Sequence, residues 1–248
     1  MTSAPRHSRL FSALLLTLVV ALGTVGEWLI EKQANAELRV DVQNRLGQSR
    51  ERLAATLYAH IQLVRGLVSV VHLAPDLDQQ RFEIATRPLL EGGGSYLRNI
   101  AAAPDLVIRY MAPLKGNERA IGRAYRDLPG QFASVERARL TRQMVVAGPV
   151  KLVQGGVGLI VRVPIYLPDA TGQGDHFWGM VSAVIDSDRL LASVGLPDGD
   201  PTMEVAIRGR DGLGARGEVF LGRPQVLDRK STRLNSSHIP LSRMPSSA

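Results

Sequence analysis

Apolar residues follow three different periods along this chain. Leu10 to Ile30 is an almost unbroken apolar run with one acidic residue, Glu27, near its far end. About 20 such residues cross a bilayer as a helix, so the run predicts a transmembrane segment over 10–30 behind a short N-terminus, 1–9. The period then becomes helical. Leu53, Leu57, Ile61, Val64, Val68 and Val71 recur at steps of three and four, with Arg52, His60, Gln62 and Arg65 off the stripe. Leu38, Val42 and Leu46 continue that face upstream, and 31–72 is predicted as a helical stalk about 60 Å long at 1.5 Å per residue. The 53–71 stripe is expected to be core. Residues 34–50 have little to pack against except a second copy, which predicts a homodimer through the stalk. Pro75 and Asp76 end the helix, and Leu77 to Leu90 predicts a second one closing at Gly92-Gly93-Gly94.

Beyond that glycine run the pattern reads as strands. Tyr96–Ala103 and Leu106–Leu114 are strand-like, joined at Pro104-Asp105, and Lys115-Gly116-Asn117 makes a turn. Gln131–Gln143 reads as a solvated helix across the sheet. Val145–Val153 and Gly158–Leu167 form a hairpin around Gln154-Gly155-Gly156, and Phe177–Asp186 is a further strand leading into the helix SDRLLASV. Strands interrupted by helices, with antiparallel hairpins, predict an α+β lobe of PAS type over 73–196. Met203–Arg208, the turn at Arg210-Asp211-Gly212 and Glu218–Leu221 read as the opening of a second such lobe, 197–227.

Charge orients the first segment. Arg6, His7 and Arg9 precede the span and Glu27 and Glu31 close it, which keeps the N-terminus inside and faces the remainder outward. A cleaved signal peptide is the rival reading, because Ala34-Asn35-Ala36 has the small-x-small form of a cleavage site. The run is longer than a signal core, and Glu27, Glu31 and Lys32 stand where a short polar region should be, which favours an anchor in the lipid bilayer.

The net charge of +7 is unevenly placed. Arg229, Lys230, Arg233 and Arg243 against Asp228 give residues 228–248 a charge of +3, Arg6 and Arg9 add two, and +2 is left for everything between. A near-neutral domain with few aromatics is a poor nucleic-acid footprint. The tail itself, DRKSTRLNSSHIPLSRMPSSA, has no helical or strand period, and Asp228–His238 reads in frame as a translated sequencing-library adapter. Residues 228–248 are therefore expected to be artefactual, with the native frame continuing after Leu227. Cysteine is absent, which removes disulfides, thiolate metal sites and thiol nucleophiles. His60, His72 and His176 have no carboxylate or hydroxyl at a triad or metal spacing. Gly155-Gly156-Val157-Gly158 has no following helix to hold a phosphate. Catalytic residues, cofactor and metal are all expected to be absent.

Three segments in order, AAAPDLVIRYMAPLKGNERAIG, AGPVKLVQGGVGLIVRVPIY and FWGMVSAVID, resemble the CHASE domain, and the resemblance covers residues 53–222. It implies an extracytoplasmic module at the bacterial inner membrane that binds a small molecule and signals inward. It further implies a membrane-proximal second lobe, another span and an output domain, a diguanylate cyclase or histidine kinase. Many relatives carry an acidic residue where this chain has Ala124, and in the plant receptors of the family an acid near that point meets the ligand. Cytokinin-like recognition is therefore not expected.

Ligand pockets are mostly apolar with a few polar groups that set orientation. Arg162, in GLIVRVPIY, alternates onto one face with Ile160 and Pro164. Such an arginine lies at an edge, in solvent or in a pocket, and the resemblance, whose pocket is lined by the corresponding strand, favours the last. Tyr110, Tyr125 and Arg126 follow the same logic. A strand arginine without a nearby acid favours an anionic ligand, since guanidinium pairs bidentately with carboxylate or phosphate. A ligand-sensing receptor accounts for anchor, stalk and lobe together. A periplasmic scaffold with no ligand is the alternative, and an anchored enzyme lacks its constellation. The orientation is checked by fusion: alkaline phosphatase joined near residue 90 is expected to be active and a cytoplasmic reporter there silent, and the reverse pattern overturns the outward topology.

Overall fold

The computed structural model describes residues 6–92, 96–152, 156–169, 172, 174–196 and 204–228. The hairpin apex at 153–155, Met203 and all of the expected artefactual tail after Asp228 lie outside these. The chain divides into two units, Met1–Gln48 and Ser49–Ala248. The helix α1, Arg6–Leu73, contributes to both.

In the first unit α1 leaves the apolar side chains described between Leu14 and Ile30 exposed. Leu14, Leu16, Val19, Leu22 and Ile30 are all more than half exposed. By length and composition this stretch suffices to cross a membrane. Within it the Thr17 and Thr24 hydroxyls donate to the carbonyls of Leu14 and Ala21, a local satisfaction of the kind an apolar environment favours.

The second unit is α+β. Five antiparallel strands, β1 (Leu97–Pro104), β2 (Tyr110–Ala112), β3 (Val145–Lys151), β4 (Val157–Pro168) and β5 (Asp175–Asp186), form a sheet in the order β2-β1-β5-β4-β3. One face receives the last turns of α1 and the helix α2 (Gln79–Glu91). Leu57, Ile61, Val64 and Val71 of the sequence stripe, joined by Leu67, pack there against Ile100, Val161, Val181 and Ile185. The period-two alternation sends the intervening residues to the opposite face. There the helix α3 (Pro129–Thr141) places Val135 and Ala138 against Ala101, Ala103, Val145 and Met180.

Polar groups fix the helices to the sheet. The α2 residue Gln79 acts as a strand partner for the edge strand β2, its amide accepting from the Met111 N–H at 3.1 Å and donating to the Met111 carbonyl at 2.7 Å. That occupies backbone groups an edge would otherwise leave open. Asp78 caps α2 by accepting from the Arg81 N–H. At the far end of α3 the Tyr166 hydroxyl donates to the Arg139 carbonyl at 2.6 Å, and Arg142, stacked over the Tyr166 ring, forms a bidentate pair with Asp175. The helix α4 (Ser187–Ser193) follows β5, and its Leu191 together with Val194 and Leu196 just beyond it packs against a two-stranded hairpin, β6 (Ile207–Arg208) and β7 (Val219–Leu221). The short helix α5, Gln225–Asp228, follows.

Two expectations change in detail. The strand expected over Leu106–Leu114 shrinks to β2, because Asp105 and Leu106 take positive φ and turn the chain out of the ladder. Residues 106–108 instead exchange backbone hydrogen bonds with Gly122, Arg123 and Tyr125. His60, placed beside the stripe by the sequence, is buried. Its Nδ1 lies 2.7 Å from the Thr56 carbonyl and so carries the proton, while Nε2 accepts from the Tyr96 N–H at 3.1 Å. The imidazole therefore ties the entry of β1 to α1. Replacement by alanine leaves the Tyr96 N–H without an acceptor, and His60→Ala is expected to lower unfolding free energy by about 1–3 kcal/mol in urea denaturation of the sheet unit. An unchanged midpoint shows that this bond holds nothing.

Candidate ligand site

Pairing register brings Met111, Ala101, Ser182, Arg162 and Val145 into one row across five strands, on the face covered by α3. Arg162 stands near the middle of that row and is fully buried. Three neutral oxygens accept from it. Nε donates to Ser134 Oγ at 3.0 Å, Nη1 to Ser182 Oγ at 3.3 Å and Nη2 to Gln131 Oε1 at 2.8 Å. Ser134 and Gln131 stand one turn apart on α3, and the Tyr125 ring covers the guanidinium with its centroid 4.9 Å away. The Tyr125 hydroxyl donates to Ser182 Oγ at 2.8 Å.

The electrostatics of this arrangement are one-sided. Among the described residues no carboxylate lies within ion-pair distance of Arg162. Burial lowers its pKa from the ordinary arginine value, opposed first by Tyr125 and least by Asp211. Even so, the guanidinium remains a cation. A guanidinium carries five N–H donors, and the bonds above use three. The site thus holds a desolvated positive charge with donor capacity to spare.

Beside it is a cavity of about 60 Å³ lined by Ile108, Met111, Leu128, Ile160, Ser182 and Val184 among others, together with Tyr125, Gln131 and Arg162. Residues 106–128 cover it, with a 3-10 turn at Tyr125–Asp127 carrying the tyrosine inward. Of the sequence candidates, Arg162 and Tyr125 meet here. Arg126, beside Tyr125 on the same turn, is exposed and does not line the cavity. Tyr110 faces elsewhere, packing on Phe82 and lining a separate cleft of about 340 Å³ with Asp76, Asp105, Arg109, His176 and Trp178. That cleft is larger, but its charges are solvated and partly paired, Arg109 with Asp105 at 3.8 Å, so it lacks a desolvated group to drive recognition. Ser182, Ser134, Gln131 and Asn99, which also lines the smaller cavity, were not singled out from sequence. Ser182 carries the same signal as Arg162, a polar residue at an inward position of an apolar strand.

The CHASE domain family model matches residues 50–221. The chain belongs to the CHASE domain family. Among solved structures it is similar to an extracellular ligand binding receptor from Desulfohalobium retbaense DSM5692, with 23% identity and a TM-score of 0.50 over 60% of this chain and 26% of that one. It is also similar to the ligand-binding domain of the Pseudomonas aeruginosa PAO1 amino acid chemoreceptor PctC in complex with GABA, with 18% identity and a TM-score of 0.44 over 62% of this chain and 68% of that one. No curated protein matches. The match to the first structure spans about a quarter of its length, and at this identity the likeness concerns the fold of the CHASE sheet unit alone.

The three hydrogen bonds of Arg162 orient α3 and favour the fold, while the desolvation of an unpaired buried cation costs free energy, and the two effects oppose each other. Swapping Arg162 for a hydrophobic residue of similar length removes a desolvation penalty and leaves only neutral, adjustable acceptors behind. Arg162→Met is therefore expected to change unfolding free energy by less than about 1 kcal/mol in urea titration of the unliganded sheet unit. A loss of several kcal/mol makes Arg162 a structural residue.

Proposed function

We propose that this CHASE protein is the sensing region of a membrane-anchored receptor, with residues 10–30 as the anchor and 31–72 as a stalk through which two copies pair. The PAS-like lobe over 73–196 faces the periplasm and binds a small anionic ligand. The observation that carries this reading is the Arg162 guanidinium, buried with neutral partners and spare donors on the floor of a cavity. Isolated buried charges are costly unless paired, and a carboxylate or phosphate entering the cavity supplies the missing partner in the bidentate geometry guanidinium favours. Tyr125 and Ser182 then orient the anion from either side. Family membership supports the sensory role, and the shared fold with an extracellular ligand binding receptor agrees with it. The apolar first unit supports the anchor and an inner-membrane location. The family resemblance also supplies the finer reading of the output as a diguanylate cyclase or histidine kinase, and residues 197–227 as the start of a membrane-proximal lobe.

Arg162 is the test. With anionic metabolites screened by thermal shift and confirmed by calorimetry, Arg162→Ala is expected to weaken the bound anion by roughly tenfold to a hundredfold, the equivalent of a charge-assisted contact of about 1.5–3 kcal/mol. Arg162→Lys recovers part of this, because an ammonium lacks the planar fork. Unchanged affinity in the alanine variant moves the ligand chemistry away from this cavity and towards Tyr110.

A further inference from the structure

The cavity over the α3 face is lined by two arginines and by no carboxylate. Arg162 lies buried at the sheet. Arg123 belongs to the covering segment and is exposed. It is held in place by its backbone, its carbonyl accepting from the Ile108 N–H at 2.9 Å. Among the described residues neither arginine has an ion-pair partner. Much of the remaining lining is apolar, including Ile108, Met111, Leu128 and Ile160.

A ligand with one acidic group, seated on Arg162, leaves the second cation of the lining without a counter-charge. A ligand with two acidic groups on a short apolar chain matches both cations and the apolar surface as well. We propose that the ligand is a short-chain dianion, in its simplest form a dicarboxylate. One acid group engages the free donors of Arg162 and the other lies at Arg123. The inference rests on the reading of this cavity as the ligand site and adds the ligand's charge and a second specificity residue. Size supports a short chain: a cavity of about 60 Å³ has room for only a few waters. The two arginines divide the work by environment. The buried one gives a strong, poorly screened contact that secures any acid. The exposed one gives a weaker, salt-sensitive contact that separates diacids from monoacids.

The test uses the full chain in nanodiscs and calorimetry with three matched pairs: succinate, glutarate and adipate, each against its monoamide, which keeps the size and removes one charge. At low salt the best diacid is expected to bind about fivefold more tightly than its monoamide, the upper range of a solvent-exposed ion pair. Arg123→Gln is expected to erase that preference, and Arg162→Gln to weaken diacid and monoamide together. Equal binding of diacid and monoamide by the wild type, or a preference that survives Arg123→Gln, overturns the dianion assignment while leaving the anion site at Arg162 standing. If none of the six compounds binds the wild type, the assignment falls and the anion reading of the cavity falls with it.

Discussion

The sheet unit is organised around one unpaired guanidinium. A buried arginine must find oxygen acceptors, and Arg162 finds them on two elements distant in sequence: Ser182 directly across the ladder on β5, and Gln131 and Ser134 on α3. This determines how α3 is rotated about its axis, because only one orientation directs positions 131 and 134 at the sheet while Val135 and Ala138 fill the core beside them. It also brings Tyr125 into place, since the guanidinium offers the ring a cationic surface and Ser182 offers its hydroxyl an acceptor.

The two faces of the sheet differ in polarity. Towards α1 and α2 the contacts involve Ile61, Val64, Phe82, Ile100, Val161 and Ile185, all almost completely buried, and close-packed apolar groups leave little unfilled space. Towards α3 the same strands present Arg162, Ser182 and Asn99 among Ala101, Ile160 and Val184, and the cavity lies beside these polar groups. One face is an apolar core, and the other holds the buried polar groups that the proposed recognition uses.

Further contacts anchor the C-terminal half of α3. Tyr166 and the Arg142–Asp175 pair hold its C-terminal turn. One turn beyond Ser134, Arg137 donates to the Asp211 carbonyl, and the Asp211 carboxylate accepts from the Gly148 N–H at 2.7 Å on β3. Gly148 has φ +104, and a Cβ there would sit 2.8 Å from the Gly158 carbonyl, so glycine is needed for the approach. The helix that contacts the guanidinium thus also contacts the turn that joins β6 to β7. Whatever displaces Gln131 and Ser134 from Arg162 acts on an element that this turn shares.

The periodicities of the sequence determined the elements, because a stripe at steps of three and four has a buried solution only as a helix and alternation at two only as a strand. The apolar run at 10–30, the core stripe at 53–71, α3 and the four longer strands β1, β3, β4 and β5 were legible for that reason, as were the α+β class and Arg162 as a polar residue within an apolar strand. Tertiary structure decided what local pattern does not encode. Positive φ at Asp105 and Leu106 turned an expected strand into a cover, an outcome set by pairing with residues 122–125. The partners of Arg162 come from positions 28 and 20 residues away along the chain, so no spacing rule reveals them. His60 stands off the core stripe in sequence, and only the fold shows that it is buried as the acceptor of the Tyr96 N–H. Tyr110 and Tyr125 look alike in sequence, yet opposite routes of the chain placed one in an open cleft and the other over the buried cation. Periodicity is local and survives in the sequence; which two distant groups meet depends on how the sheet and its covers close, and only the folded chain determines that.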